Sequence, residues 1–225
     1  MSSSHSHPLL ETFKSTHPNS KPSYGVWLTL PGTFNARTIA QASHDLGWIL
    51  IDCEHGLVPL VPGAAETIAA IKGTRTITNP SSNGSPDSRV SAPSTIVRIP
   101  ATGASDSTSW QIKYALDAGA DGVLVPMVST AAKAREVVQE AKFPPQGRRG
   151  FGSPFTHTLW GLSTPDYLAS ANHSSLVIVQ IETKEAVDNV EEIANVEGID
   201  ALFIGPYDLS ISLGYPPPSP VSARY

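Results

Sequence analysis

Asp52, Glu54 and His55 stand close together at the end of an apolar run, WILIDCEH. Arg98 ends the β-type stretch STIVR, Gln180 and Glu182 close LVIVQIE, and Asp208 follows LFIGPY. Each desolvated charge costs several kcal/mol unless it is paired, so ionisable groups at the ends of otherwise apolar segments point to a site. Glu182 and Asp208 offer two carboxylates with no accompanying Cys or His, a donor set suited to a hard octahedral ion such as Mg²⁺ or Mn²⁺. In the purely structural alternative, Glu182 pairs with a helix-start amide and Asp208 caps a helix beginning near Leu209. His55 can shuttle a proton near neutral pH, or serve only as a hydrogen-bonded loop residue. Arg98 is always charged and needs an anion, a carbonyl or a structural ion-pair partner.

These residues become a site only if the surrounding elements bring them to one end of the fold. From Tyr24 onward, short apolar runs alternate with helical patterns, the signature of βα units and a parallel sheet. Strands are predicted at Tyr24–Leu30, Trp48–Glu54, Thr95–Pro100, Gly122–Val128, Leu176–Glu182 and Ala201–Ile204. Helices are predicted at Asn35–Leu46, Gly63–Lys72, Asp106–Ala118, Thr130–Lys142 and Lys184–Asn195, with Gly119 and Gly198 at helix ends. Ligands of such sheets lie beyond the carboxyl ends of the strands, where all the residues named above fall. Asp117, at the end of the third helix, is unremarkable on this reading.

Three stretches stand outside the repeat. Residues 1–23, rich in Ser, His and Pro, read as a flexible leader; His5, His7 and His17 lie there with no regular backbone to fix a metal site. Residues 73–94 hold TNPSSNGSPDS, a polar insertion unable to bury apolar area, and residues 215–225 form a Pro-rich tail. Residues 24–214 read as one α/β domain. A closed barrel of this kind needs eight strands, and six are visible. Either another chain closes it, which implies a homo-oligomer, or the product is incomplete.

A length of 225 residues suits one such domain, and the net charge of −5 without a basic run argues against nucleic acid or an anionic membrane surface as partner. No stretch approaches the roughly 20 apolar residues of a membrane span. Cys53 is the single cysteine, so no intramolecular disulfide forms and a reducing, cytoplasmic setting is expected. Its place in an apolar run favours packing over nucleophilic work. A small molecule is the expected partner.

The segments IDCEHG (51–56), VRIP (97–100), QIKYALDAGADGVLVPMVSTAAKAREVV (111–138), FPPQGRRGFG (143–152), VQIET (179–183) and VEGIDALFIGPYDLSISLG (196–214) resemble, in order, the HpcH/HpaI aldolase family of class II pyruvate aldolases. That resemblance implies a TIM (β/α)8-type barrel of the phosphoenolpyruvate/pyruvate superfamily type, with only about six βα units present here. It implies that Glu182 and Asp208 bind a divalent metal (Mg²⁺, Mn²⁺ or Co²⁺), and that His55 works with Asp117 as the acid–base pair. Arg98 would meet the carbonyl oxygen of a 2-oxo acid and Gln180 would line its pocket. The backbone of Gly205, Pro206, Tyr207 and Asp208 would hold its carboxylate. Tyr207 stands where the family usually has a small residue.

The implied reaction is reversible cleavage of a 4-hydroxy-2-oxo acid to pyruvate and an aldehyde. A related lyase or decarboxylase acting on an acyl-CoA or an oxaloacetate-like acid is the nearest alternative, and an inactive partner-binding paralogue is another. An imine mechanism needs a lysine in the pocket, and Lys184, the one near a strand end, belongs to the following helix.

Overall fold

The structure, a computed structural model, describes residue 9 and residues 22–43, 45–74, 76–77, 89–90, 92–100 and 108–216. Six strands form one parallel sheet: β1 (Tyr24–Leu28), β2 (Leu46–Asp52), β5 (Ser94–Arg98), β6 (Gly122–Val125), β7 (Leu176–Ile181) and β8 (Ala201–Ile204), in that spatial order. Between β2 and β5, β3 (Thr76–Ile77) and β4 (Arg89–Val90) make a separate two-residue antiparallel ladder within the stretch predicted as a polar insertion.

The four central strands are apolar on both faces because both of their faces are covered, while the edge strands β1 and β8 are partly exposed. Val177, Val179 and Ile181 of β7 face the outer helices together with Ile49, Ile51, Val97, Val123 and Val125. Leu176 and Ile178 face inward with Leu50, Ile96 and Leu124. Burying each such aliphatic side chain is worth about 1.5–3 kcal/mol. Leu9 joins this inner cluster at 3 % exposure, so the predicted leader contributes one side chain to the core. Apart from Leu9, Pro22 and Ser23, that leader lies outside the described residues.

Strand parity carries the inner face up to the site. Two positions beyond Leu50 stands Asp52, two beyond Ile96 stands Arg98, and two beyond Ile178 stands Gln180; Asp52 and Arg98 are register partners. The two edge strands approach each other across that face, with the rings of Trp27 (β1) and Phe203 (β8) 5.7 Å apart at 66°. The sheet is therefore a curled, partial barrel of six parallel strands.

The outer layer consists of α1 (Thr33–Ala40), α2 (Ala65–Lys72, entered through an irregular turn at Leu60–Ala64), α3 (Thr108–Asp117), α4 (Ala131–Ala141), α5 (Thr156–Leu159), α6 (Thr164–Ser174), α7 (Lys184–Asp188), α8 (Val190–Ala194) and α9 (Pro206–Ser212). Thr130, Ser163 and Thr183 cap α4, α6 and α7 through their hydroxyls, contacts typically worth about 1 kcal/mol each. Gly119 and Gly198 adopt left-handed backbone (φ +93° and +95°) where the sequence predicts helix ends.

One predicted helix differs. The helix over Lys184–Asn195 is broken at Asn189, whose side-chain amide donates to the Ser129 carbonyl at 3.0 Å. The connection over 143–175 holds two helices, seated by edge-on contacts of Tyr167 with Phe143 and Trp160. Among the described residues, no helix is long and apolar enough to cross a membrane.

Candidate active site

Arg98 is anchored as β5 ends. Its Nε donates to Oδ1 of Asp52 at 2.9 Å and its Nη2 to Oδ2 at 2.7 Å, a two-pronged pair buried at the top of the inner face. Its Nη1 lies 3.4 Å from Oε2 of Glu54. Burial pushes the Asp52 carboxyl up, but the Arg98 hydrogen bonds and charge, with the amides of His55 and Glu54, outweigh it and hold the group below the usual range. Those amides donate to Asp52 Oδ1 at 3.2 and 3.1 Å, folding the chain beyond β2 back over its own end.

Glu182 is clamped from three sides. Gln180 Nε2 donates to its Oε1 at 2.7 Å, and the amide of Met127 donates to its Oε2 at 3.0 Å. Met127 presents that amide from a left-handed backbone (φ 57°), a conformation that costs a non-glycine residue about 1–3 kcal/mol. On the third side lies Gly205, where an added Cβ would fall 2.1 Å from Glu182 Oε1. Only a glycine leaves room for the carboxylate.

Asp208 lies in the first turn of α9, with Gly205 at the cap position, so it is not the capping residue of the structural alternative. Its charge raises the pKa of both Glu182 and Glu54. For Glu182, burial is the largest cause of the upward shift; Asp208 adds to it, while the Met127 amide, Arg98 and His55 oppose it. Glu54 rises to about 7, through burial first and then the repulsion of Glu182, Asp52 and Asp208 against the pull of Arg98. The sequence pattern puts Glu54 at the rim without a role; the fold sets it among the charges of Arg98, Glu182, Asp52 and Asp208.

These carboxylates face one guanidinium, which is the environment a hard cation relieves. Glu182 and Asp208, oxygen donors both, fit a divalent ion, and the clamp on Glu182 is the outer support such a ligand needs. Among the described residues, no group of three or more His, Cys, Asp or Glu side chains is placed to hold a metal ion.

His55 stands at the mouth, its side chain 66 % exposed and its Nε2 3.7 Å from Glu54 Oε2. Of the backbone predicted to receive a carboxylate, Gly205 gives its N–H to the Ile181 carbonyl at 3.2 Å, and Pro206 has none to give. The amides left for a ligand are those of Tyr207 and Asp208. Gln180 is 1 % exposed and its Nε2 donates to Glu182, so its amide nitrogen supports that carboxylate.

Asp117 lies elsewhere. It ends α3 at the amino side of the sheet, where it pairs with Lys113 and, at 2.8 Å, with Arg149 Nη2. Four residues on, the Asp121 amide bonds the carbonyl of Thr95, near the start of β5. A strand of five residues, roughly 15 Å, separates that level from Arg98 and the neighbouring His55. Within one chain the predicted His55–Asp117 pair does not form, because α3 carries its last residue to the opposite end of the sheet.

Cys53 is buried and its thiol is pushed up to about 12, by burial and then by Asp52, which suits packing and not attack. Lys184 points outward and pairs with Asp188 at 2.5 Å.

The sequence profile of the family described as HpcH/HpaI aldolase/citrate lyase matches residues 24–220. The chain belongs to the HpcH/HpaI family. Among its relatives, 4-hydroxy-2-oxo-heptane-1,7-dioate aldolase of Shigella boydii is 36 % identical over 204 residues, covering 91 % of this chain and 68 % of that protein. Hydroxypyruvate/pyruvate aldolase of Deinococcus radiodurans is 36 % identical over 215 residues, covering 92 % and 66 %. An HpcH/HpaI family protein of Burkholderia cenocepacia superposes with a TM-score of 0.73 at 31 % identity, over 92 % of this chain and 72 % of its own. This HpcH/HpaI chain thus spans about two thirds of the length of these relatives.

Proposed function

We propose that the chain is a divalent-metal-dependent carbon–carbon lyase that cleaves 4-hydroxy-2-oxo acids to pyruvate and an aldehyde, and runs the reverse aldol addition. The observation that carries this reading is the clamped Glu182, packed against Gly205 at the start of the helix that bears Asp208, with Glu54 beside the Asp52-anchored Arg98 at the carboxyl end of the sheet. The aldolase relatives support the same reaction class.

Glu182 and Asp208 are the residues that would hold Mg²⁺, Mn²⁺ or Co²⁺, and the ion, when bound, supplies Lewis-acid charge at the keto oxygen. Arg98 has five N–H groups; Asp52 takes two and Glu54 faces a third, leaving two for the oxygen on which charge develops. Donors set in advance on that oxygen are commonly worth several kcal/mol of barrier. His55 takes the proton of the 4-hydroxyl at the open mouth, and its exposure lets it return the proton to solvent. The Tyr207 and Asp208 amides receive the substrate carboxylate. Tyr207, 55 % exposed, narrows the approach of the aldehyde end.

The acid–base pair of His55 with Asp117 can arise only between two copies of the chain, which accords with a homo-oligomeric assembly. We place this small-molecule enzyme in the cytoplasm. The deciding assay follows pyruvate release from several 4-hydroxy-2-oxo acids with Mg²⁺, Mn²⁺, Co²⁺ or chelator, with oxaloacetate run alongside. Metal-dependent pyruvate together with aldehyde supports the reading. Decarboxylation of oxaloacetate alone would replace it by the decarboxylase, and oxo-acid binding without turnover by a binding paralogue.

A further inference from the structure

Trp27 belongs to the edge strand β1, where it reads as an ordinary apolar strand residue. Its inner-face neighbours are settled by register: Trp27 pairs with Leu50, and Leu50 with Ile96. Arg98 lies two residues beyond Ile96 on the same face, and its Cζ sits 4.6 Å from the centroid of the Trp27 ring. From the far edge of the sheet, Phe203 meets the same indole edge-on at 5.7 Å. A line of contacts therefore runs from Phe203 through Trp27 and Arg98 to Asp52.

Each contact restrains a different freedom of the guanidinium. The Asp52 pair holds the Nε/Nη2 edge but allows the plane to hinge about that edge. An indole face against one side blocks the hinge and also attracts the cation. Exchange of Trp27 for an aliphatic residue would fill part of the space yet lose both the flat surface and the attraction.

We propose that Trp27 is a positioning residue: its indole, steadied by Phe203, sets the plane of the Arg98 guanidinium so that the N–H groups left free by Asp52 and Glu54 point into the site. The inference rests on reading Arg98 as the group that meets the keto oxygen of a 2-oxo acid.

The test compares Trp27→Leu with Trp27→Phe in the full chain, using three readouts. In pyruvate release, Trp27→Leu lowers kcat by about tenfold, equivalent to about 1.4 kcal/mol, with KM little changed, while Trp27→Phe keeps most of the rate. In calorimetry with Mg²⁺, oxalate, an unreactive mimic of a 2-oxo acid, binds the Leu variant more weakly. By NMR, the Arg98 Nε–H resonance, identified by its loss in Arg98→Lys, carries a ring-current shift that Trp27→Leu abolishes and Trp27→Phe retains.

Should Trp27→Leu not fold, Phe203→Leu carries the test and moves the same resonance in the same direction by less. An unmoved Arg98 resonance overturns the proposal. So does a loss of kcat that is equal in the Leu and Phe variants, or undiminished in an Arg98→Lys background. If the unmodified chain releases no pyruvate while the oxalate and NMR effects are present, the aldolase reading falls and the Trp27–Arg98 relationship stands.

Discussion

Gln180 and Glu182, two positions apart at the end of one strand, are joined by a 2.7 Å hydrogen bond from the Gln180 amide to Glu182 Oε1. With the Met127 amide on the other oxygen, this bond decides where the carboxylate points before any ion arrives. Outer partners of metal ligands are typically worth about 10–100-fold in affinity. Gln180→Leu, close in volume and without the donor, is therefore expected to weaken Mn²⁺ binding by at least about tenfold. Calorimetric titration measures it; an unchanged Kd would show that the bond does not orient the ligand.

Gly205→Ala tests the same carboxylate by steric means. The new Cβ would stand 2.1 Å from Glu182 Oε1, so the side chain must leave its clamp. A ligand that binds only the folded state raises the melting temperature. The expected outcome is that Mn²⁺ stabilises the unmodified protein and fails to stabilise Gly205→Ala. An equal rise in both would mean that Glu182 is not a ligand.

Asp52→Ala removes the carboxylate facing Arg98 and leaves a buried guanidinium with Glu54 as its remaining close acidic partner. Breaking one side of such a pair costs about 3–5 kcal/mol, so a loss of at least about 3 kcal/mol is expected in urea unfolding. Simultaneous Asp52→Asn and Arg98→Gln restores a neutral hydrogen-bonding pair and recovers part of it. A cost below about 1 kcal/mol for Asp52→Ala, the level of an exposed pair, would contradict the burial of this one.

Glu54 gives a pH dependence with a definite sign. In the unfolded chain its carboxyl titrates near 4.5 and in the fold near 7. Between those values the folded protein holds a proton that the unfolded chain has released. The associated stability is complete below 4.5 and is lost as pH rises through 7. Glu182, also raised, acts in the same direction. Asp52 has the opposite sign: its contribution is present above 3.8 and is lost as pH falls through its lowered value. In chelator, the urea midpoint should fall between pH 5 and pH 8, and Glu54→Gln should flatten that slope. A midpoint that rises over this interval in the unmodified protein and not in Glu54→Gln would reverse the assignment.

The order of βα units and the helix stops at Gly119 and Gly198 were readable from the chain, because each depends on neighbours within a few positions. Parity along single strands was likewise enough to raise Asp52, Arg98, Gln180 and Glu182 to the carboxyl ends, and the family motifs pointed to the reaction class. What lies opposite each residue was not readable there. Trp27 beneath Arg98, Met127 and Gly205 around Glu182, Phe203 against Trp27 and the raised pKa of Glu54 all join segments tens of residues apart. So does the burial of Leu9 within the leader. The break at Asn189 depends on a carbonyl 60 residues away. Asp117 shows the limit most plainly: its motif linked it to His55, while the direction of α3 carried it to the other end of the sheet. Local periodicity reports which face of an element is apolar, and only sheet order and register determine which faces meet.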